Sequence, residues 1–233
     1  QILLHTSGRY YMVKILKEIY FDTELSGLLG FKGGSAAMFF YKLPRFSVDL
    51  DFDLLDETKK DLVLKKIAAF LPKYGQVIEA TEKRYTLFFL VSYEKGERQL
   101  KIEISKRPVK NKYVLDNYLG ISAKVEDKKD MLAGKLSAFL TRKKFASRDL
   151  FDLWFFMEND WGINQESVKI QTGLDYKSAL KKALKMISKL ENDRLLPGLG
   201  ELVDDKQKNW VKDKLLKETT FFFFFFLEKE FKW

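Results

Sequence analysis

Three aspartates, Asp49, Asp51 and Asp53, occupy alternate positions in the apolar segment SVDLDFDLL. This strict alternation predicts a β-strand with apolar side chains on one face and the aspartates on the other. Carboxylates on one face of a strand lie about 6.6 Å apart and repel each other, more strongly when they are buried. One expectation is a divalent cation between them, because Mg²⁺ and Mn²⁺ take oxygen ligands. The other is a solvated sheet face whose acids pair with Lys or Arg.

A glycine-rich turn precedes the aspartates. The segment KGGSAAMFFYKL places Gly33 and Gly34 before a short predicted helix, with Ser35 as its N-cap and Pro44 after its end. Backbone N–H groups at a helix N-terminus bind anions, so this turn is a candidate phosphate site, although such a turn is more often only a cap. A phosphate site beside a carboxylate pair is the arrangement that nucleotidyl transfer requires.

A further acid lies on a later predicted strand. In QLKIEIS, Glu103 falls on the polar face between apolar neighbours. If this strand lies beside the first one, Glu103 completes a site of three carboxylates. If it does not, Glu103 is a cross-strand partner of a lysine.

Composition narrows the kinds of site that are possible. The 233 residues include no Cys and one His, which excludes disulfides, thiolate zinc sites and His-rich metal sites. The net charge is +9, and residues 101–150 contain 13 Lys or Arg against 6 Asp or Glu. This excess favours an anionic partner or, alternatively, a well-solvated surface. No apolar run is long enough for a membrane span, and a reducing, cytoplasmic setting is expected.

The elements that must position these residues form two parts. The α/β part comprises residues 1–125, and a helical domain follows at 126–233. Predicted strands lie at 47–55, 75–82, 84–93, 98–105 and 120–126, with a hairpin turn at 94–98 and a loop around Gly27 and Gly30. Predicted helices lie at 9–25, 56–71, 127–141, 147–159, 176–190 and 204–217. The six phenylalanines at 221–226 are predicted to be a helix end in the core or at a partner surface.

Two segments carry a resemblance to known families. A Gly-Ser pair at a helix start, then Asp-x-Asp, then a single acid resembles the polymerase-β type nucleotidyltransferase superfamily. KGGSAAMFFYKLPRFSVDLDFDLL more closely resembles the AbiEii/AbiGii toxin family, bacterial nucleotidyltransferase-like toxins of abortive-infection and toxin–antitoxin systems. DMLAGKLSAFLTRKKFASRDLFDLWFF resembles that family's lysine and arginine-aspartate motifs. The resemblance covers roughly residues 30–160. It implies an α+β fold, in which a mixed-sheet nucleotidyltransferase core is followed by a C-terminal helical region that completes the active site.

The resemblance also implies roles for the residues of the first segment. Gly34 and Ser35 would hold the triphosphate of an NTP, while Asp49 and Asp51 would coordinate two Mg²⁺ ions. Glu103 would join them on the first ion. Asp53 lies beyond this pair and is a supporting residue. The family commonly has an acid at the position of Val48, and this chain lacks it.

In the second segment, Lys135 would neutralise phosphates, with Thr141 nearby. Asp149 or Asp152 would be the late acid, and Asp152 is favoured. The implied catalytic set is Asp49, Asp51, Glu103, Lys135 and Asp152. The implied nucleotide-binding set is Gly33, Gly34, Ser35, Ser47, Lys135, Arg148 and Asp149. A basic cluster at Arg142, Lys143, Lys144 and Arg148 either grips RNA phosphates or is a solvated loop.

The resulting hypothesis is transfer of a nucleoside monophosphate from an NTP to an acceptor hydroxyl by a two-metal mechanism, with Mg²⁺ or Mn²⁺ as cofactor. The resemblance implies an RNA acceptor, the 3′ end of tRNA, and a cognate antitoxin as partner. Two alternatives stay open. One is a nucleotidyltransferase with a small-molecule acceptor, such as an aminoglycoside. The other is a non-catalytic module that binds a nucleotide or a partner protein.

Overall fold

The computed structural model describes residues 2–94, 98–108 and 110–229, with side chains from Ser7 onward. The chain forms two compact units, the first ending at Glu126 and the second beginning at Asp127. The predicted α+β fold with a mixed sheet is confirmed.

The first unit alternates helices with the strands of one sheet. Its elements are α1 (Ile2–Phe21), α2 (Leu25–Leu28), β1 (Leu29–Lys32), α3 (Gly33–Phe40), β2 (Asp49–Leu54), α4 (Lys60–Phe70), β3 (Gln76–Glu82), β4 (Thr86–Tyr93), β5 (Arg98–Ser105), β6 (Tyr113–Tyr118) and β7 (Ile121–Glu126). Single 3₁₀ turns flank α4 at Glu57–Lys59 and Leu71–Lys73. The predicted hairpin turn falls largely on residues 95–97, which lie outside the described residues.

The seven strands have the order β3-β4-β5-β2-β1-β7-β6. Strand β2 lies at the centre, antiparallel to β1 and parallel to β5. In this register Asp51 pairs with Glu103, and Asp49 pairs with Lys101. The strand that carries Glu103 therefore lies beside the strand that carries the aspartates.

The two faces of the sheet differ in chemistry because the side chains alternate. Leu50 and Phe52 are fully buried on one face, where the Phe52 ring lies 5.0 Å from the ring of Phe31. Helix α1 packs on this apolar face, with the ring of Tyr11 4.5 Å from that of Tyr93. The acids of β2 and β5 project from the opposite face.

The sequence patterns missed two strands of the first unit. The predicted loop around Gly27 and Gly30 is wrong in part, because residues 29–32 form β1, and β6 was not predicted at all. A Cβ at Gly30 would lie 2.3 Å from the ring of Tyr113, so this glycine lets an aromatic side chain cover the strand. Helix α1 also begins earlier than predicted, and Arg98 donates a 2.6 Å hydrogen bond to Ser7 within that early part.

The second unit is helical. Its helices are α5 (Lys128–Thr141), α6 (Ser147–Glu158), α7 (Gln165–Thr172), α8 (Tyr176–Ile187), α9 (Asp205–Trp210) and α10 (Leu216–Lys229), with a π-helical segment at Val211–Leu215 joining the last two. Helix α5 packs against α6 and α7, while α10 packs against α6 and α8. Helix α7 was not predicted, because its sequence QESVKIQT is mostly polar.

The phenylalanine run lies within α10, so the last predicted helix extends well past residue 217. Phe223 and Phe226 are buried, whereas Phe221, Phe224 and Phe225 are 62%, 53% and 42% exposed. One side of the run belongs to the core and the other faces solvent. Among the helices that the structure describes, none combines the length and apolar character needed to cross a membrane.

Candidate active site

The acids on the polar sheet face form a row across two parallel strands. Asp49 and Asp51 on β2 lie beside Glu103 on β5. Burial, together with the negative charges of Asp49 and Glu103, raises the pKa of Asp51 above its ordinary value. The fold therefore holds a carboxylate at a position that disfavours its ionised form, which is common at functional sites.

A lysine lies within this row. The Nζ atom of Lys101 is 3.1 Å from Asp49 Oδ2 and 3.2 Å from Glu103 Oε2. Burial lowers the pKa of Lys101, but the two carboxylates outweigh it, and the net shift is upward. The ammonium group stands where a positive charge is needed between two acids. Lys101 is the cross-strand partner of Asp49, whereas it lies on the same strand as Glu103, two residues away. The lysine next to Glu103 is therefore not the cross-strand lysine of the alternative expectation, and it lies in the same cluster as the expected metal ligands.

The glycine turn meets the acid row at Asp51. Helix α3 begins at Gly33, whose φ of +76° lies in the left-handed region, and a Cβ there would be 2.9 Å from Asp51 Oδ2. The turn and the carboxylate are thus in direct contact. The prediction that Ser35 caps the helix is wrong: the N-cap is Lys32, and no side chain bonds at that end. The buried Ser35 hydroxyl instead donates a hydrogen bond to the backbone carbonyl of Asp49.

The Arg-Phe-Ser segment supports the turn from the side. A Cβ at Gly34 would lie 2.7 Å from a guanidinium nitrogen of Arg45 and 3.0 Å from Ser47 Oγ. Both side chains are buried, and Arg45 also donates to the carbonyl of Phe46 at 2.9 Å. Gly34 and Ser47 are therefore neighbours, as expected for members of one nucleotide-binding set.

Asp53 belongs to a separate cluster on the same face. Its carboxylate is buried, is ion-paired with Lys32 at 2.5 Å, and accepts a 2.5 Å hydrogen bond from the Tyr113 hydroxyl. Burial and the neighbouring Asp53 charge raise the pKa of Tyr113 far above its ordinary value, so this phenol remains a donor. These contacts fix Asp53 and leave Lys32 beside Asp51, its partner in the sheet register.

The predicted residues of the second unit form their own cluster between α5 and α6. Lys135 Nζ lies 3.1 Å from Asp149 Oδ1 and 2.7 Å from Asp152 Oδ2, and both carboxylates are almost completely buried. Arg142 Nε lies 3.2 Å from Asp149 Oδ2 without hydrogen-bond geometry, so this contact is one of charge alone. Lys135 contacts both candidate late acids, so their geometry does not single out one of them.

Arg148 and Thr141 lie near this cluster in sequence. Arg148 is half-buried on the first turn of α6, next to Asp149. Thr141 is exposed, and its hydroxyl donates to the carbonyl of Ser137 in its own helix. Lys143 and Lys144 are exposed in the connection between α5 and α6.

The donor atoms of the acid row suit a hard divalent cation such as Mg²⁺, which is often held by one or two carboxylates together with substrate phosphates. Burial first, and then the charges of Asp49 and Glu103, raise the pKa of Asp51 despite the nearby Lys101 and Lys32, so a cation bound beside it would favour its ionised form. Within residues 2–94, 98–108 and 110–229, however, no three His, Cys, Asp or Glu side chains are arranged to hold a metal ion. The donor chemistry fits the ion, and binding it with all three acids requires the Lys101 ammonium to move away.

Three basic residues near the acid row and the glycine turn were absent from the site predicted from the sequence: Lys32, Arg45 and Lys101. Lys101 and Glu103 share one face of a predicted strand, so that spacing was the available signal for Lys101. Arg45 stands in the quoted Arg-Phe-Ser segment, and Lys32 directly precedes the glycines.

Comparison with known proteins shows the family to which the chain belongs. The family model described as nucleotidyl transferase AbiEii toxin, type IV toxin–antitoxin system, matches residues 14–215. The chain belongs to the AbiEii toxin family. The match includes the acid row, the glycine turn and the Lys135 cluster, so the AbiEii resemblance of the two motif segments is confirmed. No match was found among curated protein sequences.

Solved structures share the fold of this chain. JHP933 from Helicobacter pylori is 19% identical with a TM-score of 0.64, over 98% of this chain and 94% of that one. MenT4, a nucleotidyltransferase toxin from Mycobacterium tuberculosis H37Rv, is 16% identical with a TM-score of 0.58, over 92% and 83% of the two chains. At these identities the likeness concerns the fold. The classification of the chain as a nucleotidyltransferase toxin rests on its membership of the AbiEii family.

Proposed function

We propose that this AbiEii-family chain transfers a nucleoside monophosphate from an NTP to a hydroxyl at the 3′ end of tRNA, with Mg²⁺ or Mn²⁺ as cofactor. One observation carries the proposal: the acids Asp49, Asp51 and Glu103 lie side by side on β2 and β5, and the glycine turn touches Asp51. A site for polyphosphate next to a site for divalent cations is what nucleotidyl transfer requires.

The turn is the binding site for the triphosphate in this proposal. The first N–H groups of α3, at Gly33, Gly34 and Ser35, have no partner within the helix and are available to phosphate oxygens. Arg45 and Ser47 pack on Gly34 and hold the turn in place. The hydroxyl of Ser35 ties the helix to the strand of Asp49, so the turn and the acids keep a fixed relation.

Asp49, Asp51 and Glu103 would hold the metal ions. When bound, such ions lower the pKa of an attacking hydroxyl and stabilise the negative charge of the leaving pyrophosphate. The chain itself contributes orientation and charge. Lys32 and Lys101 balance part of the negative charge of the row when no metal ion is bound to the acids.

The cluster of the second unit supplies a further positive group. Asp149 and Asp152 fix the ammonium of Lys135 by two ion pairs. These ion pairs hold the long side chain in a defined position. We assign Lys135 to the nucleotide phosphates and the two aspartates to its positioning. Arg148 stays a candidate for the same phosphates.

The acceptor and the antitoxin are proposed from charge and from the family. The basic excess of residues 101–150 suits an RNA phosphate backbone. The family description names a type IV toxin–antitoxin system, from which we infer a cognate antitoxin for this chain.

The test uses purified protein, radiolabelled NTPs, total RNA and Mg²⁺, with Asp51→Asn as the inactive variant. We expect label in the tRNA fraction with wild type, none with Asp51→Asn, and none when a chelator is present. Label in a small-molecule acceptor alone would replace the RNA acceptor. Nucleotide binding without transfer to any acceptor would leave only a binding module.

A further inference from the structure

The strand order separates the two sides of the acid row. Neighbouring strands of the sheet have the spatial order β4, β5, β2, β1. The glycine turn directly follows β1 along the chain. If the triphosphate lies at that turn, as proposed above, the leaving pyrophosphate is on the β1 side of the acids. In phosphoryl transfer the attacking and leaving oxygens are roughly in line on opposite sides of the phosphorus. The acceptor hydroxyl must therefore approach from the side of β5 and β4.

An aromatic ring lies on that side. Phe88 of β4 pairs with Glu103 of β5, which pairs in turn with Asp51 of β2. The three residues thus form one line across the same face of the sheet. Phe88 is only half-buried, although the neighbouring β4 side chains Leu87 and Phe89, on the other face, are fully buried.

A lysine ammonium covers the ring. Lys83 Nζ lies 3.3 Å from the centroid of Phe88 and 3.1 Å from Glu79 Oε1. The side chains of Lys83 and Glu79 are both well exposed, and such ion pairs contribute little to stability. Lys83 can therefore exchange these partners for a phosphate at small cost.

The turn that follows Lys83 adds positive charge. The guanidinium groups of Arg84 and Arg107 lie 4.9 and 5.0 Å from the ring of Tyr85. The Lys106 N–H donates to the carbonyl of Tyr85, which fixes the turn next to the end of β5. An acceptor that reaches Phe88 past this turn meets a surface suited to an anionic chain.

From this arrangement we propose that Phe88 and Lys83 form the acceptor subsite for the last nucleotide of a single-stranded RNA end. The Phe88 ring stacks on the terminal base, and the Lys83 ammonium leaves the ring for the adjoining backbone phosphate. Stacking on an aromatic side chain suits any base and is worth about 1–3 kcal/mol. This places the terminal ribose next to Glu103, where the reacting hydroxyl is needed. The inference rests on the proposed function.

The first experiment measures binding of a 5′-fluorescein-labelled decanucleotide RNA to the full chain by anisotropy, without NTP or divalent ions. Phe88→Leu keeps an apolar side chain in place but removes the stacking ring, and Phe88→Tyr restores a ring. We expect Phe88→Leu to raise the Kd by about 5- to 150-fold and Phe88→Tyr to bind as wild type. Lys83→Ala should reduce the slope of log K against log salt by about 1.

A matched pair on the apolar side of the unit serves as the control. Lys17 Nζ lies 4.9 Å from the ring of Phe21 on α1, and Phe21 is 59% exposed. Phe21→Leu and Lys17→Ala remove the same types of group and should leave RNA binding unchanged. Equal effects of the Phe88 and Phe21 variants would overturn the subsite.

The second experiment separates this inference from the proposed function. In the transfer assay, Phe88→Leu should raise the KM for the RNA acceptor and leave the KM for NTP unchanged. Wild type that labels no RNA refutes the proposed function. Wild type that labels RNA, while Phe88→Leu keeps the wild-type acceptor KM, refutes the subsite alone.

Discussion

The carboxylate of Asp51 lies against the backbone of Gly33, so closely that a Cβ at position 33 would be 2.9 Å from Oδ2. This contact joins the start of α3 to the acid row. Position 33 therefore requires glycine for two reasons: the backbone there is left-handed, and a side chain would collide with the carboxylate of Asp51.

Gly33→Ala should therefore lower both stability and activity. A left-handed conformation costs a residue with a Cβ about 1–2 kcal/mol, and the methyl group would push Asp51 from its position. Urea unfolding measures the first effect and nucleotide transfer the second.

Gly173→Ala is the matched control for the backbone cost. Gly173 has a φ of +73°, and a Cβ there would meet nothing within 4 Å. We expect a similar loss of stability without loss of transfer. Equal activity of the two variants would show that the space beside Asp51 is not needed.

Lys101→Met removes the ammonium between Asp49 and Glu103. In the presence of a chelator the variant should melt at a lower temperature than wild type, because two carboxylates lose their shared cation. Added Mg²⁺ should raise its Tm more than that of wild type, because the ion no longer competes with the lysine. Lys60→Met, which breaks a surface pair with Glu82, should respond to Mg²⁺ as wild type does. An identical Mg²⁺ response of all three proteins would argue against the metal site.

Asp51→Asn should change how stability depends on pH. Burial and the Asp49 charge raise the pKa of Asp51 in the folded state, so the folded chain binds more protons than the unfolded one between the two pKa values. Wild type then loses stability as pH rises from about 4, the ordinary Asp value, through the raised value. The variant lacks this loss and should be the more stable protein at neutral pH. Urea unfolding with chelator at pH 4.5 to 8 measures the difference, and a constant difference would contradict the prediction.

Lys135→Met should be strongly destabilising. It removes the ammonium that is ion-paired with the buried carboxylates of Asp149 and Asp152, and removing one partner of a buried ion pair costs about 3–5 kcal/mol. Adding Asp149→Asn and Asp152→Asn to the same chain should recover part of this loss, because the buried negative charge is then gone. Failure of the triple variant to recover any stability would indicate that Lys135 acts through packing.

The local patterns of the sequence were sufficient for the strands of the acid row. The alternation around Asp51 and around Glu103 predicted both strands and the face on which each acid lies. The same patterns did not predict that the two strands are neighbours, because that depends on pairing between distant segments. That pairing is parallel, with α4, β3 and β4 in between.

Other parts depend on tertiary contacts that no short pattern contains. Strand β1 is four residues long and includes Gly30, which is tolerated because Tyr113 packs over it. The ion pairs of Lys101 and Lys135 follow from residues that come together only in the fold. Ser35 is a residue type that often caps helices, but its hydroxyl donates a hydrogen bond to the backbone carbonyl of Asp49 instead.

The pairing of β2 with β5 also has a consequence for synthesis of the chain. A ribosome makes Asp51 long before Glu103, and three intervening elements must emerge before the two strands can join. A product that terminates early would carry the aspartates without the neighbouring strand. An unfinished chain of this toxin family would therefore lack the third acid of the row until β5 is made.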